Sequence, residues 1–393
     1  MRQFRAILLT SVGTVKRASV ALTVAVGSVC SLMASVGVAQ ESVTPATQRR
    51  SSPALFSDWV AQKTMVVAGA NFNAALYSTP KGTGYDGVAA LFIQHSDGNA
   101  YLCSGALLSG GLNVLTAAHC LTNEFGVNIT TSVLAIFFTP GQPATTREII
   151  ASSSTVVNPA YTGQVVDAHD VAIVRLGAAP SLGILNSAYS LYLGDPFGQT
   201  GRAVGSGATG TGVTGATQGG GFQLADRRTG INAIDFSWTD ARFGGFFDGY
   251  FGTADPYGLL ADFDNATAAR NSSCILTGLQ GLGFTWGSNR PCGGGFGTSE
   301  VILGGGDSGG PLFVGNQIAG VASYGLSFGT GVGDSDNVLN STFGEFAGWS
   351  STAYNAAWIA QATTAVPEPG SFILVGAGMV ALIGIAKRRH RVS

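Results

Sequence analysis

Three short segments carry the side chains that could cut an acyl bond together. Gly304-Gly-Gly-Asp-Ser308-Gly-Gly-Pro-Leu312 sets one serine among glycines, which lets the backbone turn sharply and a substrate approach closely. Leu115-Thr-Ala-Ala-His119-Cys120 offers an imidazole. Asp167-Ala-His-Asp170-Val-Ala-Ile-Val-Arg-Leu176 offers a carboxylate at the head of an apolar run. A serine hydroxyl at its own pKa is a poor nucleophile, so a neutral imidazole must take its proton during attack. His119 suits that role and would return the proton to the leaving amine. A buried carboxylate that fixes the imidazole tautomer completes the set. Asp170 directly abuts the run Val171 to Leu176, whereas its competitor Asp167 lies three residues earlier, so Asp170 is the expected third member. His169 reads as a solvent-facing neighbour, and His95 and His390 lie outside the motifs.

In the order His, Asp, Ser, the three segments resemble the chymotrypsin/trypsin family of serine proteases. The resemblance runs from about residue 85 to 362, with 198–300 aligning poorly. It implies an all-β fold of two antiparallel six-stranded Greek-key barrels with a C-terminal helix. The first barrel (about 85–185) would hold His119 and Asp170, the second (about 186–362) Ser308, with the cleft between them. It implies peptide hydrolysis through an acyl-enzyme, with no cofactor and no metal. The backbone N–H groups of Gly306 and Ser308 would form the oxyanion hole, where one donor typically contributes about 2.7–4 kcal/mol. Asp307 would pair with a new N-terminal amine after chain cleavage, and Val66-Val67-Ala68-Gly69 faintly resembles the start of a mature protease of the family.

The same resemblance places Ile302 at the base of the primary specificity pocket. A carboxylate there would select Arg or Lys by desolvated charge pairing; an isoleucine cannot, so an apolar or small side chain is expected before the scissile bond. Ser323-Tyr324-Gly325 resembles the segment that binds substrate backbone as an added strand. Cys103 and Cys120 match the disulfide that closes the histidine loop, and Cys274 with Cys292 would form a second bridge near the pocket entrance. Read without the family, four cysteines permit three connectivities.

Such groups need rigid strands to hold them. Of 393 residues, 11% are charged, 45% are hydrophobic and 58 are glycine, a balance suited to short strands and many turns and unlike a helical bundle. Strands are expected at Val88–Ile93, Ala100–Cys103, Gly105–Leu108, Asn113–Thr116, Val133–Phe138, Glu148–Ala151 and Val171–Leu176, separated by turn residues. The glycine-rich stretch 198–221 reads as a flexible surface loop. Ala261-Asp-Phe-Asp-Asn265 lacks the spacing of a calcium loop and reads as a solvated turn. Tyr354–Ala362 is the expected C-terminal helix, packing through Ala357, Trp358 and Ile359.

Both ends concern targeting. Residues 1–39 have the basic start, apolar run and small-residue end (Gly37-Val38-Ala39) of a secretory signal peptide, a substrate for signal peptidase. Its removal takes Cys30 and leaves an even cysteine count, as in disulfide-bonded exported chains. Residues 40–84 read as an N-terminal, possible propeptide segment. Residues 363–393 hold Pro367-Glu368-Pro369, an apolar run at 371–386 and a basic cluster after it, which resembles the PEP-CTERM sorting signal of Gram-negative bacteria. It implies transient inner-membrane anchoring through 371–386, cutting by an exosortase, and release to the cell surface or extracellular matrix. A net charge of −2 supplies no field for nucleic acid. The expected partner is a protein or peptide substrate. The rival readings are a catalytically silent surface or matrix-binding protein on the same scaffold, and an esterase acting on polysaccharide acyl groups.

Overall fold

The computed structural model describes residues 82–364 apart from 140–145 and 219–226, together with Tyr77, Thr79 and three N-terminal strands. These strands are β1 (Gln48–Arg50), β2 (Trp59–Lys63) and β3 (Met65–Ala68). The signal segment 1–39 and the tail 365–393, including Pro367, Glu368, Pro369 and the apolar run, lie outside the described residues. Among the described residues no helix is long and apolar enough to cross a membrane.

The first half is a closed six-stranded antiparallel barrel in the order β4-β5-β6-β9-β8-β7. Its strands are β4 (Val88–His95), β5 (Ala100–Leu107), β6 (Asn113–Thr116), β7 (Thr130–Phe138), β8 (Arg147–Val157) and β9 (Ala172–Leu176). Two expected runs, 100–103 and 105–108, are one strand, because Ser104 and Gly105 stay in register with Ala90 and Ala89 of β4. Apolar side chains such as Leu91, Val114, Val133 and Ile173 fill the interior, and Val204, Phe313, Ile318 and Val321 of the second half join the same core. Each such fully buried side chain contributes about 1.5–3 kcal/mol, so this shared core helps hold the two halves together.

The second half comprises β10 (Thr200–Gly205), β13 (Arg228–Ala233), β14 (Leu259–Asp262), β16 (Pro311–Val314), β17 (Gln317–Ser327) and β18 (Phe346–Ser351). They pair as β13-β10-β16-β17-β18-β14. Between β13 and β14 lies only an isolated antiparallel bridge, Phe236 to Leu260, so where a second closed barrel was expected the sheet stays open as a half-barrel. A side sheet runs β12-β11-β3-β15, built from β11 (Thr209–Thr211), β12 (Gly215–Gln218), β15 (Val301–Gly304) and β3. The described part of this stretch, 198–218, is therefore not a flexible loop. Thr200–Gly205 is a half-barrel strand and Thr209–Gln218 a hairpin, since glycines there let backbones pack closely; a Cβ on Gly201 would meet Leu312 at 2.7 Å.

Residues 236–251 and 284–286 form an aromatic lobe in which Phe236, Trp238, Phe243, Phe247, Phe251 and Trp286 pack with Val165, Val166 and Tyr324. Phe236 and Phe243 meet edge to face at 5.2 Å, the arrangement ring quadrupoles favour. The segment Ala261–Asn265 is not a solvated turn. Asp262 ends a strand paired with β18, and its carboxylate accepts from the Ser273 N–H at 3.0 Å. Asp264 accepts from Asn271 Nδ2 at 3.1 Å. Burial pushes Asp262 up to about 7 and the adjacent Glu300 up to about 8. The C-terminal helix is Ala356–Thr364. It packs through Ile359, Ala362 and partly Trp358, while Ala357 is exposed, because the buried stripe follows the three-residue spacing from 359.

Candidate active site

His119 lies in a 3₁₀ turn, Ala118–Cys120, directly after β6. Asp170 lies directly before β9, whose Ala172 pairs with Thr116 at the end of β6. Neighbouring strands thus bring imidazole and carboxylate together across 51 positions of sequence. Nδ1 of His119 donates to Asp170 Oδ2 at 2.7 Å, and the His119 backbone N–H donates to Oδ1 at 2.8 Å. Two bonds from one residue fix both ring position and tautomer; with Nδ1–H donating, Nε2 is the basic nitrogen. Asp170 is wholly buried. Ser323 Oγ also donates to its Oδ2, at 2.5 Å. The competitor Asp167 is spent on its own loop, accepting from the Thr162 N–H, Thr162 Oγ1 and the His169 N–H. His169 lies tilted against Tyr354, ring centroids 5.4 Å apart, and His95 contacts the Cys120 carbonyl through Nε2 at 3.1 Å.

The loop carrying Ser308 is tied to the first barrel by contacts on both sides of the serine. The Ser104 N–H donates to the Ser308 carbonyl at 2.7 Å, and Ser104 Oγ donates to the Gly306 carbonyl at 2.8 Å. Thr116 Oγ1 donates to the Ser104 carbonyl at 2.8 Å, tying that contact to the strand that ends at His119. Gly309 (φ 80°) presses against the same place: a Cβ there would lie 2.1 Å from Thr116 Oγ1 and 2.8 Å from the Ala117 nitrogen. On the far side the Gly309 N–H donates to the Ala322 carbonyl at 2.8 Å, adjoining Ser323. The sequence did not mark Ser104, Thr116 or the Ser323–Asp170 bond. Their partners are distant in the chain, and small hydroxyl residues beside a motif carry no signal of their own.

Disulfide bonds join Cys103 to Cys120 and Cys274 to Cys292. The first staples β5 to the histidine turn; closing a loop of this size is worth about 3 kcal/mol in the chain-entropy model. The second links the short helix Ser272–Thr277 to an exposed segment.

Ile302 is buried in β15 within an apolar cluster that includes Ile234, Phe263 and Ala322. Tyr324 points inward, its hydroxyl accepting from Trp238 Nε1 at 2.9 Å, and its ring covers the place a Cβ on Gly348 would take. Gly325 follows on the same strand. Asp307 is buried beside Ser308; its Oδ1 accepts from the Gly207 N–H at 2.6 Å, while Oδ2 makes no hydrogen bond among the described residues. Burial pushes it up to about 7, offset in part by the Arg228 charge. Both line a cavity of about 440 Å³, its open mouth included, together with Tyr77, Ile302 and Leu303.

A hydrogen-bonded imidazole and buried carboxylate can run nucleophilic acyl transfer when a serine hydroxyl reaches the free imidazole nitrogen. Ser323→Ala removes one bond to a buried ionised group, worth about 1.5–3 kcal/mol. We expect kcat to fall about 10- to 100-fold with KM little changed in steady-state peptide hydrolysis. An unchanged kcat would show that two donors suffice to hold Asp170.

Among curated proteins none matches this chain. HL collagenase is similar at 17% identity over 73% of this chain and 96% of its own, with a TM-score of 0.43. Neuropsin, a serine protease expressed in the limbic system of mouse brain, is similar at 17% identity over 73% of this chain and 98% of its own, with a TM-score of 0.46. The family model for trypsin matches residues 81–241, which contain His119 and Asp170 but end before Ser308. A PEP-CTERM protein-sorting motif matches residues 365–389. A trypsin-family match over residues 81–241 is thus followed in the same chain by a PEP-CTERM sorting motif at 365–389.

Proposed function

We propose that residues 85–362 form an exported serine endopeptidase that hydrolyses peptide bonds through an acyl-enzyme. Ser308 Oγ attacks the scissile carbonyl, and His119 Nε2 takes its proton. Asp170 stabilises the imidazolium, and the leaving amine departs with the proton from His119. Water then repeats the sequence to release the acid. The N–H groups of Gly306 and Ser308 receive the oxyanion. The observation that carries this reading is the doubly bonded His119–Asp170 pair, clamped by Ser323, with Gly309 of the serine motif packed on Thr116 and Ala117 just ahead of His119.

Ile302, with no carboxylate at that position, supports selection of an apolar or small side chain before the scissile bond. A peptide-library cleavage profile tests this; cleavage only after Arg or Lys would refute it. Asp307 supports activation by chain cleavage. A cut before Val66 would free an amine opposite Leu303, which lines the same cavity as Asp307, whose Oδ2 makes no hydrogen bond among the described residues. N-terminal sequencing of the active enzyme checks that site. The sorting motif supports export: signal peptidase removes 1–39, the tail anchors transiently in the inner membrane, and an exosortase cuts near Pro367-Glu368-Pro369. The destination is the cell surface or matrix of a Gram-negative bacterium. Labelling of Ser308, but not of the Ser308→Ala chain, by a fluorophosphonate separates the endopeptidase from a catalytically silent scaffold.

A further inference from the structure

The edge of β17 beside the candidate triad is already occupied by this chain's own N-terminal segment. Strand β16 pairs with β17 only from Gln317 to Val321. Ser323 bonds Asp170, and from Tyr324 onward the vacated edge is taken by β2, with Tyr324 opposite Lys63, Gly325 opposite Gln62, Leu326 opposite Ala61 and Ser327 opposite Val60. The Gly309–Ala322 bond sets Ser308 beside the point where β16 stops and β2 begins. Strand β2 runs antiparallel to β17, so its C-terminal end is the one nearest Ser323. A peptide acylating Ser308 has the same polarity, because its acyl side precedes the scissile carbonyl. Beyond β2 the chain continues in β3, where Met65 lies opposite Gly304, four positions before Ser308. The described strands on either side of residue 64 therefore flank the Ser308 loop.

An extended substrate draws its main-chain hydrogen bonds from a free sheet edge, and one edge accepts one strand. We propose that Trp59–Lys63 occupies the acyl-side substrate edge at Tyr324–Ser327, so that the uncleaved chain masks its own active site. This rests on the serine endopeptidase reading. A tethered competitor acts at an effective concentration in the millimolar range, enough to outcompete most free peptides. A cut before Val66 and release of the segment ahead of it frees the edge, so one cleavage event both unmasks the site and creates the new terminus.

The test uses chain 40–364 and its Ala61→Pro/Gln62→Pro variant, since proline cannot donate to a ladder. Ser308 is titrated with two reagents: diisopropyl fluorophosphate, which needs no sheet edge, and a tripeptidyl phosphonate ester, which does. We expect the small reagent to label both chains at similar rates, and the peptidyl reagent to label the variant at least about 10-fold faster. Equal peptidyl rates would overturn the masking while leaving the peptidase reading intact. Absence of labelling by either reagent in either chain would overturn the peptidase reading, and the masking with it. If the double variant does not give the circular dichroism of the parent, Gln62→Pro alone is read in the same way.

Discussion

Asp170→Asn is expected to lower kcat for peptide hydrolysis by on the order of 10⁴-fold, and Ser308→Ala by on the order of 10⁶-fold, with peptide affinity retained in both. The serine variant removes the nucleophile, leaving only the background from binding and oxyanion stabilisation. The asparagine variant is the more informative of the two. Asp170 accepts at both oxygens, from His119 Nδ1 and Ser323 at Oδ2 and from the His119 backbone at Oδ1. An amide offers one acceptor oxygen and one NH₂ group. If the NH₂ faces Nδ1, the imidazole must carry its proton on Nε2 and can no longer accept from Ser308. If it faces the backbone, two donors oppose each other in a buried site. The first arrangement takes the base out of service; the second keeps Nε2 basic but buries two opposed donors, so the first is the favoured one, and the surrounding packing stays. Steady-state kinetics, with fluorophosphonate labelling rate as a second readout, measures both variants. A loss below 10-fold in Asp170→Asn would remove the carboxylate from the mechanism.

Gly309→Ala is expected to lower both stability and activity, through a contact rather than through chemistry. The residue has φ 80°, and an added Cβ would lie 2.1 Å from Thr116 Oγ1, 2.4 Å from the Ser104 carbonyl and 2.8 Å from the Ala117 nitrogen. The left-handed backbone costs about 1–2 kcal/mol in an alanine, and overpacking typically adds about 1–3 kcal/mol. Two of the three contacts are backbone atoms, which yield only if a strand moves. The strands that would move carry Ser308 on one side and His119 on the other. Thermal unfolding should show a Tm lower by roughly 10 °C, and kcat measured well below that Tm should fall more than 100-fold. A normal kcat with a lowered Tm would mean that the seam has slack and that Gly309 serves folding alone.

The largest part of the candidate site was legible because its chemistry is local in sequence. A serine among glycines, a histidine beside a cysteine and an aspartate at the head of an apolar strand each declare themselves within about six residues. Their order carried the family resemblance. Barrel strands of the first half were equally readable, since a half-buried strand writes its burial as alternation and is punctuated by turns. Glycine-rich 198–221 was misread because composition alone does not distinguish a glycine that gives freedom from one that permits close packing; Gly201 is the second kind. Asp262 and Asp264 were misread as solvated because their partners, Ser273 and Asn271, are supplied by a later helix.

By itself the sequence determined which groups could do chemistry, because nucleophile, base and carboxylate are properties of residue type and near neighbours. It also determined the first barrel, whose strand pairs are mostly close in the chain. Only the tertiary structure decided what meets what. It assigned Ser323 to Asp170 across 153 positions, Ser104 to the Ser308 loop, and the N-terminal strand β2 to the β17 edge beside that loop. Those pairings are backbone and hydroxyl contacts, which nearly every residue can make, so residue identity does not specify them; the packing of the closed barrel against the half-barrel does.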